Sequence, residues 1–475
     1  MENLEGDYNG VGGERIRRER RNGDNSDGVR DFWIGPDWQA EERFFACLQQ
    51  AGPTQNDGLQ FSRDNKYMEL LGKSKAELRE LCASMGEPAY RGTQIYHALY
   101  AERKFGVGEM TNLPAAFREK LAKQTTITMP EVRQKFVSKD GSVRFLFELN
   151  SQTGTKWRVT SGEWRERRAA VEAVYMPSEG RQTICISTQA GCAVDCQFCL
   201  TAQLGLIRNL TAGEIVGQVL MALEQRKQRA ASGPSTSPAT AGEWQEKTSS
   251  STHRNEDRKE FTTEGTELTE KEKKQTNVVL MGQGEPLLNF ENVIAALRIL
   301  LDPEGVGLSP KHVTLSTSGI VPGIERLAKE PVRPKLAISL NASNDEERNV
   351  LMPINRKYPL AKLMGACRDY PLRNWEHLTF EYVMLSGVND TDEDARRVVK
   401  LLAPLKRVKV NLIPWNPGEL PYKEPREERI EAFRKILTGK GVPAFARYSR
   451  GRDVMAACGQ LALKEVKRDQ LTAIC

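Results

Sequence analysis

Three cysteines fall within one short segment, Gly191-Cys192-Ala193-Val194-Asp195-Cys196-Gln197-Phe198-Cys199, at the spacing CxxxCxxC. Thiolates are the usual protein ligands of iron–sulfur clusters, which are ordinarily held by four of them. Three this close, with no fourth at ligand spacing, suit a [4Fe-4S] cluster that keeps one iron free of protein. A free iron can take a small-molecule ligand, and the radical use of S-adenosylmethionine (SAM) needs that arrangement. On spacing alone, a zinc site and buried apolar cysteines stay open as alternatives. Structural zinc wants four ligands, and the chain has only 4 histidines, none near the motif.

Other polar residues recur where strand-like runs end. Met281-Gly282-Gln283-Gly284-Glu285-Pro286 follows one run, where the glycines would let backbone approach a ligand and the carboxylate could hold an amino group. Ser316-Thr317-Ser318-Gly319, Ser339-Leu340-Asn341 and Trp415-Asn416-Pro417 follow others. Each alone reads as an ordinary loop; together they outline a pocket for a polar ligand. Cys185 lies on the run before the cysteine motif, and Cys458 lies far downstream in Ala456-Ala457-Cys458-Gly459-Gln460. Taken singly, both read as packing or incidental residues, as do Cys47, Cys82, Cys367 and Cys475.

The elements that must position these residues alternate. Strand patterns at 183–187, 277–281, 312–316, 335–340, 378–385 and 408–413 are interleaved with helical patterns at 210–223, 290–301, 392–402 and 426–437. Such βα repetition implies an α/β fold with a parallel sheet, either a barrel or doubly wound, with ligands at the carboxyl ends of the strands. Before it, period-2 runs within 130–182 predict a small β extension. Residues 65–125 predict a helical accessory domain, with Ser74 and Glu77 as a capping box ahead of Leu78, Leu81, Cys82 and Met85. Residues 1–60 read as a disordered arm carrying a basic island at 15–21, and 226–275 as a disordered insertion.

Composition sets bounds. The 9 cysteines of the 475 residues are too few and too clustered for a disulfide scaffold, and point to metal or catalytic use in a reducing compartment. No apolar run approaches the roughly 18 residues that cross a bilayer, and the first residues lack a secretory signal, so a cytoplasmic protein with no membrane association is expected. A net charge of +6 permits a nucleic-acid partner without requiring one.

With these motifs assembled, the chain closely resembles the RlmN family of radical SAM RNA methyltransferases, from about residue 65 to about residue 470. The resemblance is carried by VEAVYMP at 171–177, CISTQAGCAVDCQFC at 185–199, GQGEPLLN at 282–289, STSGIVP at 316–322, AISLNA at 337–342, NLIPWNP at 411–417 and RGRDVMAACGQL at 450–461. It implies a partial (β/α)6 radical SAM barrel at 183–470, an N-terminal helical domain that helps bind RNA, and a monomer. Cys192, Cys196 and Cys199 would ligate the [4Fe-4S] cluster. Gly284, Glu285, Ser316, Ser339, Leu340, Asn341 and Asn416 would line the SAM site. Cys458 would carry the methyl group as S-methylcysteine, Cys185 would be its partner cysteine, and Glu172 the proton acceptor.

Family enzymes methylate C2 of an adenosine in 23S rRNA, and many also modify the adenosine next to the tRNA anticodon. Two SAM are used per methyl, one to methylate Cys458 and one to give a 5′-deoxyadenosyl radical, with electrons from a reductase or flavodoxin. Release of the product would leave a Cys185–Cys458 disulfide. Gln283 stands where the family more often has methionine, and Asn341 where many members have histidine. Two other readings compete: the sister family that methylates C8 of the same adenosine, and a non-enzymatic iron–sulfur RNA-binding redox sensor, which would not need Cys458.

Overall fold

Short runs of valine, isoleucine and leucine, separated by helices, build one ten-stranded sheet. The protein is seen in a computed structural model that describes residues 67–149, 155–158, 164–167, 169–178, 180–231 and 276–461. The arm expected at 1–60, the insertion beyond residue 231 and the barrel range beyond residue 461 lie outside the described residues.

The N-terminal part holds β1 (Met68–Glu69), α1 (Lys75–Ser84), α2 (Tyr90–Tyr100), α3 (Ala115–Ala122) and β2 (Thr125–Thr126). The expected capping box starts α1: the Glu77 amide donates to Ser74 Oγ at 3.2 Å, and the Ser74 amide donates to the Glu77 carboxylate at 2.8 Å. This satisfies amides that the first helical turn leaves without partners. Leu78, Leu81 and Cys82 are buried on one face. The packing of this part on the barrel depends on two glycines. A Cβ on Gly72 would lie 2.4 Å from the Gly213 amide nitrogen, and one on Gly213 would lie 2.5 Å from the Leu71 carbonyl.

Next come β3 (Glu131–Val137), β4 (Val143–Glu148), β5 (Thr155–Arg158), β6 (Trp164–Arg167) and β7 (Ala170–Ser178). Strands β3, β4 and β7 form an antiparallel extension that joins β8 (Arg181–Cys185). The cysteine segment follows, within β9 (Gln189–Gly191) and β10 (Leu206–Asn209), and then α4 (Ala212–Ala231). Helix α4 carries the Thr211–Glu214 capping box and runs through residue 231, so the start of the insertion expected at 226 is corrected: its first residues continue the helix.

The remaining units are β11 (Thr276–Leu280), α5 (Phe290–Leu301), β12 (Val313–Thr317), α6 (Val321–Ala328), β13 (Lys335–Ser339), α7 (Asp345–Leu351), α8 (Leu360–Asp369) and β14 (Leu378–Met384). The series closes with α9 (Asp392–Leu402), β15 (Val408–Pro414), α10 (Glu427–Gly439) and β16 (Ala444–Ala446). Strands β8 and β11 through β16 pair in parallel, each with the next in sequence. That unreversed order excludes the doubly wound alternative, whose strand order turns back at a switch point. The sheet is an open barrel, and β16 extends the six strands read from the sequence. At three residues β16 is too short to show a period.

Ile184, Val278, Leu315, Leu336, Phe380 and Val410 are fully buried in the main core. Alternation then turns the intervening residues inward. In register, Cys185 lies opposite Val174 and Val279, and Ser339, Glu381, Asn411 and Phe445 form one row across the interior face. No helix among the described residues is long and apolar enough to cross a membrane.

Candidate active site

The cysteine loop leaves the carboxyl end of β8 and is closed at its base by β9 and β10. Gly191 has φ +75°, and a Cβ there would sit 1.8 Å from the Gly205 carbonyl, so only glycine lets these two backbones meet. The Cys192 amide donates to that carbonyl at 3.0 Å, the Gln197 amide to Leu351 at the end of α7 at 3.0 Å, and the Leu200 amide to Gly459 at 2.8 Å. Trp415 Nε1 donates to the Phe198 carbonyl at 3.3 Å. The loop is thus fixed from several sides before anything binds.

Cys192, Cys196 and Cys199 share one cavity wall, with about 980 Å³ of open space including its mouth. Burial pushes the Cys192 thiol up to about 12, with the neighbouring Cys199 charge adding to it. Burial also raises Cys196 and Cys199. No three His, Cys, Asp or Glu side chains among the described residues converge on a single metal ion. A cubane instead takes each thiolate on a different iron, so an all-thiolate set spread along one wall fits a [4Fe-4S] cluster.

The same cavity brings together most of the residues expected at strand ends. Gly284, Glu285, Ser316, Ser339, Asn341, Asn416 and Cys458 line it. Leu340 does not: its side chain is fully buried, and its carbonyl accepts from Arg348. Glu285 is committed to its own chain, accepting from the Ser318 amide at 2.7 Å, Ser318 Oγ at 2.8 Å and the Leu287 amide at 3.0 Å. Burial raises its carboxyl, against those hydrogen bonds. The glycines of the same loop meet protein closely: a Cβ on Gly284 (φ +97°) would lie 2.5 Å from the Gln189 side chain. Asn341 takes a left-handed φ of +57°, a conformation asparagine tolerates better than most residues.

Cys458 stands where this cavity meets a second one of about 810 Å³, and both linings include Cys199, Met281, Cys458 and Gly459. Cys185 lies on the second lining with Arg447, Tyr448 and Arg450. Cys458 is exposed, on the linings of both cavities. The protein atoms packed around its sulfur push the thiol up to about 11, and the Glu381 charge adds to the effect. Burial likewise raises Cys185, and the charge of Cys458 adds to it. Both are free thiols.

The loop carrying Cys458 is held by backbone and side-chain bonds. Asn416 Nδ2 donates to the Cys458 carbonyl at 3.1 Å, and Thr201 Oγ1 to the Leu461 carbonyl at 2.7 Å. Ser138 Oγ donates to Asp453 at 2.6 Å, and the Gly451 amide to Asp140 at 3.0 Å. Burial pushes the Asp140 carboxyl up, but hydrogen bonds from Ser142 and Gly451 outweigh it and hold the group at about 2. A carboxyl depressed in the folded state stabilises above its unfolded pKa of about 3.9, and that contribution is lost as pH falls toward 2. Pepsin cleavage within 450–461 is therefore expected to be slower in wild type than in Asp140→Asn at pH 4, with the difference shrinking as pH falls to 2.

Glu172 lies off both cavity linings. It is fully buried on β7, its carboxylate paired with Arg144 and its carbonyl accepting from Ser187 Oγ at 2.6 Å. Gln283 Oε1 accepts from the Glu172 amide at 3.2 Å, and Gln283 Nε2 reaches the Leu461 carbonyl at 3.5 Å, a bridge that methionine does not make. Removing one partner of a buried ion pair strands the other. Arg144→Met is expected to cost about 3–5 kcal/mol in chemical denaturation. Arg144→Met with Glu172→Gln should cost less than the sum of the two single changes.

Sequence reading did not single out Glu381, Arg348 or the Arg447–Arg450 rim. A carboxylate on the Thr379–Glu381–Val383 face of an otherwise apolar strand is the available signal for Glu381, which lines the three-cysteine cavity and accepts from Asn411 Nδ2 at 2.9 Å.

Residues 186–401 match the radical SAM superfamily, and residues 68–127 match the ribosomal RNA large subunit methyltransferase N-terminal domain. An open parallel barrel with this cysteine loop after its first strand defines a radical SAM enzyme, which uses a [4Fe-4S] cluster and SAM. The chain is 45% identical over 386 residues to the "Probable dual-specificity RNA methyltransferase RlmN" of Koribacter versatilis (strain Ellin345), covering 80% of this chain and 98% of that one. It is 42% identical over 388 residues to the dual-specificity RNA methyltransferase RlmN of Anaeromyxobacter sp. (strain Fw109-5), covering 81% and 88%. A crystal structure of a radical SAM methyltransferase from Sphaerobacter thermophilus matches with a TM-score of 0.66 and 38% identity, covering 83% of this chain and 99% of that one. The chain belongs to the RlmN family of radical SAM RNA methyltransferases.

Proposed function

We propose that this enzyme methylates C2 of adenosine in 23S rRNA and in tRNA next to the anticodon, as the dual specificity in its relatives' names supports. The observation that carries the reading is the place of Cys458, on the shared wall between the three-cysteine cavity and the cavity that holds Cys185. When bound, the cluster and SAM supply the methyl group and the one-electron hydrogen abstraction that an electrophilic ring carbon requires. Cys192, Cys196 and Cys199 would hold the cluster, and the residues around Ser316, Ser339 and Asn416 would hold SAM.

Cys458 faces both cavities, so its sulfur can receive a methyl group on one side and present it to a base on the other. The target base would enter from the second cavity, where Tyr448 is half exposed beside Arg447 and Arg450. Single-stranded bases stack on aromatic rings and arginine planes. Release of the product needs the Cys185 sulfur to bond to the Cys458 sulfur, breaking the sulfur–carbon bond and leaving a disulfide. Glu172 is the candidate proton acceptor at C2, once Arg144 frees its carboxylate. Glu172→Gln is expected to slow turnover by about 10²-fold or more; lost stability with turnover per folded molecule unchanged would remove it from the chemistry.

The direct test is nucleoside mass spectrometry of unmodified 23S rRNA fragment and tRNA after incubation with the reconstituted enzyme, SAM and a reductant or flavodoxin system. A 2-methyladenosine peak from both RNAs is the expected result. 8-Methyladenosine would assign the chain to the sister activity, and a peak from one RNA alone would remove the dual specificity.

A further inference from the structure

Arg348, on α7, is fully buried, and arginine keeps its charge in such places. Yet each acceptor it meets is neutral. Nε donates to the Leu340 carbonyl at 3.0 Å, Nη1 to Asn355 Oδ1 at 2.9 Å, and Nη2 to the carbonyls of Ser318 at 2.7 Å and Ser339 at 3.0 Å. Asp345, on the same helix, is the carboxylate whose charge reaches it. That carboxylate is already engaged, with Oδ1 accepting from Asn355 Nδ2 at 2.8 Å and the Leu360 amide at 2.9 Å. A buried cation without an adjacent anion costs several kcal/mol.

The contacts of α7 lead to the cysteine loop. Helix α7 is tied to the cysteine loop by the Gln197 amide, which donates to the Leu351 carbonyl at 3.0 Å. Ser318 and Ser339, whose carbonyls the guanidinium holds, line the same cavity as Cys196. A cluster bound through three thiolates is a net anion, and its potential follows the charges around it.

We propose that Arg348 is the fixed countercharge of the iron–sulfur cluster. It raises the cluster's reduction potential into the reach of an electron donor while holding the Ser318 and Ser339 carbonyls at the SAM wall. The proposal rests on the reading that Cys192, Cys196 and Cys199 hold the cluster. Arg348→Met removes the charge at similar length, whereas Arg348→Lys keeps the charge and loses the planar fork. The comparison therefore separates charge from hydrogen bonding.

The measurement is an EPR-monitored redox titration of the reconstituted full chain, with iron content and thermal melting recorded beside it. Arg348→Met is expected to lower the midpoint by at least a tenfold change in the reduced-to-oxidised ratio, 59 mV for one electron. Arg348→Lys is expected to stay within threefold of wild type. A folded Met variant that loads no cluster while the Lys variant does supports the same assignment.

An Arg348→Met protein with full iron content and the wild-type potential overturns the proposal. So does a Lys variant shifted as far as the Met variant, or one that folds without loading a cluster, because hydrogen bonds would then be the cause. If the Met variant does not fold, Arg348→Gln gives the neutral arm. A Cys196→Ser protein that loads its cluster as wild type does overturns the cluster assignment itself, a failure visible without touching Arg348.

Discussion

A Cys458→Ala variant is expected to fold, load its cluster and bind SAM, yet methylate RNA at least about 10³-fold more slowly than wild type, as loss of a covalent nucleophile does elsewhere. The fold should survive because the loop is anchored through the Cys458 carbonyl, which Asn416 holds, and through its neighbours Gly459 and Leu461. The thiol itself faces open cavity, so its removal leaves no void in the core. Cys458 is also separate from the motif that would bind iron. Visible absorbance of the cluster, binding of SAM and mass spectrometry of the RNA can each be read on the same preparation. Turnover above a tenth of the wild-type rate would end the case for Cys458 as methyl carrier.

The second large effect concerns the partner thiol. Cys185→Ala is expected to convert a transient protein–RNA bond into a stable one, visible as a retarded species on a denaturing gel with labelled RNA. The register of β8 between β7 and β11 turns Cys185 to the interior, and the second cavity puts it with Cys458. No other cysteine among the described residues lies on that lining except Cys199, which the cluster would claim. With Cys185 gone, nothing remains to attack the Cys458 sulfur and free the base. The double variant Cys185→Ala, Cys458→Ala should show no adduct. Normal multiple turnover by Cys185→Ala would remove Cys185 from product release.

What the sequence made legible follows the range of the forces involved. Helices α5 and α9 lie where periodicity placed them, at Phe290–Leu301 and Asp392–Leu402, because their apolar stripes are local, as is the Thr391–Asp394 capping box of α9. The cysteine spacing is local as well. Helix α7 went unread: Asp345–Leu351 is short and strongly charged, and its Arg348 resembles a surface residue until the barrel closes over it. The Gly282–Gly284 turn lines the cavity, as expected of glycines that let backbone approach a ligand, and a Cβ on either glycine would also meet Ile186, Ser187 or Gln189, a constraint that spacing does not show. Spacing alone did not reveal that Cys185 and Cys458 share a cavity, because that depends on the register of strands and the docking of a distant loop. Glu172 shows the same limit, since only the fold reveals the pair with Arg144.

The loop that brings Cys458 also dictates an order of assembly. Its anchors span the molecule: Thr201 to Leu461 are 260 residues apart, and Ser138 to Asp453 are 315. Contacts between such distant positions close the longest loops and form late, and a chain made from its N-terminus folds its earlier segments first. The loop with Cys192, Cys196 and Cys199 and its β9–β10 base are therefore made before residues 450–461 supply the wall that carries Cys458. If those cysteines hold the cluster and Cys458 carries the methyl group, loading of the cofactor and completion of the nucleophile site are separable steps.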